Sequence, residues 1–222
     1  MFHFNPMAGN ACFRGGGGGN NWIRVGWKPP STGIFKLNTD GASKGNLGQA
    51  GAGAGGLIRN HEGRWVAGFC HNIGTTNSLE AEVTAIKDGL ELVNRLGLTN
   101  VDVETDSKLA VQLIAGSIFS GEHVNNLVND CRRLMEEIGS TTLRHVYREA
   151  NACADILANL GVVADGLEVF ANAPSLCGSP TLQRCHRLAT RVVPMEEKWF
   201  AFKAPTMGTS KVDYCPSFIA AV

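Results

Sequence analysis

The chain has 222 residues, with 20 Lys and Arg against 20 Asp and Glu, 44% hydrophobic and 18% charged residues, and 27 glycines. The apolar fraction is that of a globular protein and excludes wholesale disorder. Zero net charge argues against a protein that holds nucleic acid by bulk electrostatics, since such domains are strongly basic.

Three regions differ in texture. Residues 1–26 include the run Gly15 to Gly19 and show no hydrophobic period, so they read as a flexible Gly-rich leader. They lack the basic and apolar regions of a secretory signal, and no stretch reaches the ~18 apolar residues that span a bilayer. The expectation is an intracellular protein of nucleus or cytoplasm, not secreted and with no membrane partner. Residues 27–173 are regularly patterned and form the expected domain. Residues 174–222, interrupted by Pro180, Pro194, Pro205 and Pro216, read as an irregular tail with no assignable role. The seven cysteines are scattered, without a CxxC pair, as expected of reduced thiols. Cys177, Cys185 and His186 in the tail do not have zinc-finger spacing.

Within the domain, Phe35 and Leu37 alternate with Lys36 and Asn38 in a first strand, 34–39, which runs into the turn signal Asp40-Gly41. Two further strands, 51–60 and 64–73, are joined by the hairpin loop Asn60-His61-Glu62-Gly63. From 78 to 96 the residues Leu79, Val83, Ile86, Leu90 and Val93 recur at helical spacing, and Gly97 supplies a stop. A fourth strand, 101–105, meets Asp106-Ser107, where Ser107 can cap a helix over 108–115. A longer helix, 123–138, carries Val124, Leu127, Cys131, Leu134 and Ile138 on one stripe. A fifth strand, 142–147, leads to a last helix, 151–160, closed by Gly161. The order β-β-β-α-β-α-α-β-α predicts an α/β fold with a five-stranded mixed sheet flanked by helices, because a helical crossover returns the chain parallel to where it left.

That topology gathers acidic residues. Asp40 ends the first strand and Asp106 the fourth, so parallel pairing of these strands puts both at one edge, at a switch in strand order. Glu82 lies on the flank of the apolar stripe of the first helix, where an unpaired charge is costly. Asp155 is expected near the start of the last helix, where the helix dipole favours its ionised form. Ionised oxygen ligands converging on one edge suit hard divalent cations such as Mg²⁺ or Mn²⁺.

The run Asp40-Gly41-Ala42-Ser43-Lys44-Gly45-Asn46-Leu47-Gly48, followed by Gly51 and Gly53, resembles the opening motif of type 1 ribonucleases H. Glu80-Ala81-Glu82-Val83, Glu104-Thr105-Asp106-Ser107 and Arg148-Glu149-Ala150-Asn151-Ala152-Cys153-Ala154-Asp155 resemble its other three motifs, in order. Trp27-Lys28-Pro29-Pro30 and Gly166-Leu167-Glu168-Val169-Phe170 are similar to the ends of plant reverse-transcriptase-like ribonuclease H domains, many of them related to retroelements. The resemblance implies a ribonuclease H-like fold and an endonuclease that hydrolyses the RNA strand of RNA-DNA hybrids with two Mg²⁺ or Mn²⁺ ions. It makes Asp40, Glu82, Asp106 and Asp155 the catalytic metal ligands. Gly41, Ala42, Ser43, Asn46, Asn77 and Ser78 match positions that meet the substrate, where sensing a 2′-hydroxyl distinguishes RNA from DNA.

Several positions depart from the pattern. Arg148 stands where many members have histidine, so no general base carries over; an arginine there can bind phosphate or form a surface ion pair. Ser78 stands where many relatives have asparagine. The glycines at 51, 53, 55 and 56 let a sheet edge approach a duplex or, alternatively, relieve packing inside the protein. The helix over 123–138 offers only Arg132 and Arg133 in place of a basic protrusion, which implies weak substrate affinity and a shallow salt dependence. Residues 27–163 hold 15 acidic against 12 basic residues, and two bound divalent ions would reverse that sign at the site. The expected protein is a monomer. The competing readings are a non-catalytic nucleic-acid-binding module of retroelement descent and a 3′-5′ exonuclease of the same fold.

Overall fold

In the computed structural model, which describes residues 26–44, 51–116, 122–174 and 192–194, the alternating stretch around Leu37 becomes β1 (Phe35–Ser43). It is followed by β2 (Ala52–Arg59), β3 (Trp65–Gly74), α1 (Ser78–Arg95), β4 (Val101–Thr105), α2 (Lys108–Ile114), α3 (Glu122–Ile138), β5 (Thr141–His145), α4 (Arg148–Gly161), β6 (Leu167–Phe170) and β7 (Val192–Pro194). The strands form one mixed sheet in the order β5-β4-β1-β2-β3-β6-β7. β1 pairs antiparallel with β2 and parallel with β4, and β4 pairs parallel with β5. The five expected strands are all present. β6 and β7 extend the sheet on the β3 side by antiparallel pairing. At four and three residues they are too short to show a period, and Pro194 is admitted because β7 lies at an edge.

The two faces of β1 have different neighbours. Leu37 and Thr39 point at Gly89 of α1, within a core that includes Ile58, Phe69, Val83, Ile86, Leu90, Val103 and, from α3, Leu134 and Ile138. Each fully buried aliphatic or aromatic side chain there contributes about 1.5–3 kcal/mol. The opposite face is covered by α4, with Leu57, Cys70, Ala154, Leu157 and Phe170 in a second cluster. The β2 glycines serve this packing: a Cβ at Gly53 would lie 2.4 Å from the Ala158 carbonyl oxygen, and one at Gly55 would lie 2.1 Å from the Ala158 nitrogen. Their role is internal relief, and α4 occupies the space that a duplex would need on that face.

Two boundaries differ from the sequence expectation. Asp40-Gly41 is not a turn: β1 continues to Ser43, with Asp40 opposite Gly55 and Gly41 opposite Ala54. Glycine is required at 41 because a Cβ would sit 2.3 Å from the Glu82 nitrogen. α4 begins at Arg148 rather than at 151, which places Asp155 in mid-helix; its N-cap, Tyr147, makes no side-chain capping bond, so no residue signals the start. Gly161 ends α4 as expected, but for a packing reason, since a Cβ would meet the His71 and Ala54 carbonyl oxygens at 2.7 and 2.8 Å. Ser107 caps α2 as expected, accepting from the Ala110 N–H at 3.3 Å. Cys70, Cys131 and Cys153 are free thiols.

Candidate active site

Parallel pairing aligns Thr39 with Thr105, so the next residues, Asp40 and Asp106, lie together at the same edge. α1 crosses that edge close to Gly41 and delivers Glu82. One carboxylate oxygen from each of Asp40, Glu82 and Asp106 lies within 4.8 Å of the other two. Asp40 is only 6% exposed. Burial, with the charges of Glu82 and Asp106 beside it, pushes the Asp40 carboxyl up to about 9. Burial and Asp106 push Glu82 up to about 8, against the pull of the Thr105 hydroxyl, the Gly41 N–H and the Arg148 charge. Asp40 and Glu82 therefore hold protons at neutral pH unless positive charge is supplied. The all-oxygen donor set of the three carboxyl groups fits a hard divalent cation.

Asp155 stands apart from this trio. Its Oδ1 accepts from Arg148 Nη2 at 2.7 Å, two helical turns away on α4, and the bond raises the arginine's already high pKa. Asp155 still adds to the charge felt by Asp40. The choice that the sequence left open for Arg148 is resolved, in this state, in favour of an ion pair.

Gly41, Ala42 and Ser43 form the end of β1, and Ser43 ties the strand to the β3-α1 loop through its hydroxyl, which donates to the Thr76 carbonyl at 3.0 Å. Asn77 is the α1 N-cap, accepting from the Glu80 N–H at 2.9 Å, and both it and Ser78 are exposed. Asn46 lies outside the described residues, as do residues 1–25 of the Gly-rich leader, Cys177, Cys185 and His186. Arg132 is committed to the Leu113 and Ile114 carbonyls at the end of α2, at 2.8 and 2.9 Å, and Arg133 pairs with Asp130 and Glu137. α3 therefore carries no basic protrusion.

Sequence reasoning missed the groups beneath the carboxylates. Asn151, 1% exposed, donates through Nδ2 to Asp106 Oδ1 (3.3 Å) and to the Thr39 carbonyl (2.9 Å). Glu104, 2% exposed, binds Lys36 at 2.8 Å and Arg144 at 3.2 Å, and Arg144 also reaches Asp102 at 2.5 Å. Burial lowers the Lys36 pKa, with Glu104 opposing. The available signal was the polar set at every second position, Lys36, Asn38 and Asp40 on β1 and Asp102 and Glu104 on β4, which on buried central strands requires partners.

A mixed sheet with parallel central strands, four helices and an acidic cluster at the β1-β4 switch defines a ribonuclease H-like protein. Solved structures agree: ribonuclease H1 from Halobacterium salinarum superposes with a TM-score of 0.54 at 25% identity, covering 58% of this chain and 96% of that one. LC11 ribonuclease H1, in a crystal structure with an RNA/DNA hybrid, gives 0.53 at 26% identity over 58% and 96%. The sequence profile of the reverse transcriptase-like family matches residues 38–161, and the chain belongs to that family. A candidate ribonuclease H protein of Arabidopsis thaliana is 38% identical over 135 residues, covering 61% of this chain and 22% of that protein. Ribonuclease HI of Halobacterium salinarum is 28% identical over 133 residues, 60% of this chain and 66% of that protein. The chain thus aligns with about a fifth of the plant relative's length. No helix among the described residues is long and apolar enough to cross a membrane.

Proposed function

We propose that the protein is an endoribonuclease that hydrolyses the RNA strand of RNA-DNA hybrids with two Mg²⁺ or Mn²⁺ ions. The observation that carries this reading is the convergence of Asp40, Glu82 and Asp106 at the strand-order switch of a ribonuclease H-like fold. A divalent pair supplies Lewis-acid activation of water and neutralises charge at the leaving oxygen. Asp40, Glu82 and Asp106 would hold the ions, and Asp155 would join them if it gave up its Arg148 partner. Arg148, so released, is an exposed guanidinium at the edge of the site, suited to hold a substrate phosphate by paired hydrogen bonds. In this reading Gly41, Ala42, Ser43, Asn77 and Ser78 meet the minor groove of the hybrid. Asn46 joins them on the strength of its motif.

With Arg132 and Arg133 of α3 committed within the protein, that helix offers no free arginine to a phosphate, so in this reading binding rests on few phosphate contacts and its salt dependence is shallow. The test is cleavage of a labelled RNA-DNA hybrid by the full chain. The RNA strand is cut only with Mg²⁺ or Mn²⁺, and Asp40→Asn abolishes cutting. Metal-independent cleavage, or an unaffected variant, refutes the reading. Hybrid binding in EDTA with no turnover after Mg²⁺ is restored points to a binding module, and degradation of end-labelled single-stranded DNA to an exonuclease.

A further inference from the structure

Behind the carboxylates, a chain of buried amides leads away from Asp106 to the segment that precedes β1. Asn151 donates to Asp106, and its Oδ1 accepts from Asn38 Nδ2 at 3.4 Å. Asn38, 1% exposed, also donates through Nδ2 to Glu104 Oε2 at 3.0 Å. On its other side, Asn38 Oδ1 accepts from Trp27 Nε1 at 2.9 Å and from Arg59 Nη2 at 2.8 Å. The Arg59 guanidinium lies over the Trp27 ring, 3.6 Å from its centroid, and the Lys36 ammonium is 5.6 Å from the same ring.

The chemistry of these groups fixes the direction of every bond. An indole N–H and a guanidinium can only donate, so Asn38 must turn its oxygen to them. Its NH₂ then faces the Glu104 carboxylate and Asn151. Asn151 in turn must show its oxygen to Asn38, which leaves its own NH₂ for the Thr39 carbonyl and Asp106. Reversing either amide would set donor against donor at one end and acceptor against acceptor at the other, in a buried setting where each unmade bond is costly.

We propose that Trp27 and Arg59 are positioning residues for the carboxylate site: by presenting only donors to Asn38, they set the polarity of an amide relay that ends with a donor on Asp106. Trp27 lies outside the stretch matched by the family profile, residues 38–161, so the lead-in segment is a working part of the site. The inference takes the metal-site reading as its frame, and its first test is independent of metal and of activity.

That test compares the full-length protein with Trp27→Phe, which keeps the ring and removes the N–H. In metal-free protein, the side-chain amide resonance of Asn151 shifts and exchanges faster in the variant. The midpoint of the Mg²⁺-induced rise in melting temperature moves up roughly threefold to tenfold, the scale of one hydrogen bond. On a hybrid substrate kcat falls at low Mg²⁺ while KM for the hybrid stays constant. An unchanged Asn151 resonance, or a lowered melting temperature with an unchanged Mg²⁺ midpoint, overturns the proposal and leaves Trp27 as a structural cover. Should Trp27→Phe not fold, Arg59→Met and Arg59→Lys decide by the same readouts. Loss with Met and recovery with Lys, which restores a donor, supports the relay; equal behaviour overturns it. Wild-type protein that binds Mg²⁺ without cleaving hybrid refutes the nuclease reading alone, and the resonance and the Mg²⁺ midpoint still judge the relay.

Discussion

On one side of β1 and β4, Leu37 and Val103 are fully buried in a dry aliphatic core under α1 and α3. On the other, Lys36, Asn38, Asp102 and Glu104 are held by ion pairs and amides that lead to the carboxylates of the candidate site. The first side draws its stability from area removed from water, which has no direction. The second depends on each donor meeting an acceptor, because ions taken out of water cost several kcal/mol unless paired. β1 therefore divides the apolar packing from the polar network behind the site, with Glu82 reaching the site from α1 on the apolar side, and substitutions in the packing and in the network should be separable by measurement.

The largest expected effect lies on the polar side. Asp40→Asn should lower hybrid cleavage by more than about 100-fold, the loss that outer-shell partners of a metal site alone can cause. In EDTA the same variant should melt higher than wild type, since an amide needs no proton taken up on folding to sit beside Glu82 and Asp106. Lower stability without metal would refute the crowding of charge.

Leu37→Ala, on the dry side, should cost about 2–5 kcal/mol in denaturant unfolding and leave the Mg²⁺ midpoint of the folded protein unchanged. Glu104→Gln strands Lys36 and Arg144 and should cost about 3 kcal/mol, with a weakened Mg²⁺ response because Asn38 loses an anchor. If the two variants alter Mg²⁺ binding alike, the separation of the sides fails.

A pH series probes the cluster itself. The folded pKa values of Asp40 and Glu82, about 9 and about 8, exceed the unfolded carboxylate value near 4. The folded state thus keeps protons that the unfolded chain releases. Their stabilising contribution is complete below about pH 4 and is lost as pH rises through 8 to 9. Melting temperature in EDTA should fall across that window, and saturating Mg²⁺ should flatten the fall. A pH-independent melting temperature in EDTA would remove the protonated cluster.

The smallest stability effect belongs to Arg148→Ala. Its ion pair with Asp155 is largely exposed and is expected to contribute only about 0.2–1 kcal/mol. The variant should tighten Mg²⁺ binding by freeing Asp155, while KM for hybrid rises as a phosphate contact is lost. Weaker Mg²⁺ binding would show that Arg148 does not compete with the cation.

The legible parts were those written in local patterns. The helical stripe of Leu79, Val83, Ile86 and Leu90, the Ser107 cap and the strand alternation at Phe35 and Leu37 each depend on neighbours a few residues away. The convergence of Asp40 with Asp106 was also readable, because it follows from a parallel crossover. Boundaries failed where one residue type serves two purposes. Gly41 looked like a turn and is a point of close approach by α1; the start of α4 carries no capping side chain and moved Asp155 to mid-helix.

By itself, the sequence determined the order of elements from β1 to α4, the apolar core and the acidic motif positions, since periodicity and turn chemistry are short-range. Only the tertiary structure decided that three carboxylates cluster while Asp155 is held by Arg148, and that Trp27, Arg59, Asn38 and Asn151 form one relay. The physical reason is distance along the chain: Asn38 meets Glu104 across 66 residues and Asn151 across 113. The direction of a hydrogen bond between such partners is defined only once the fold has brought them together.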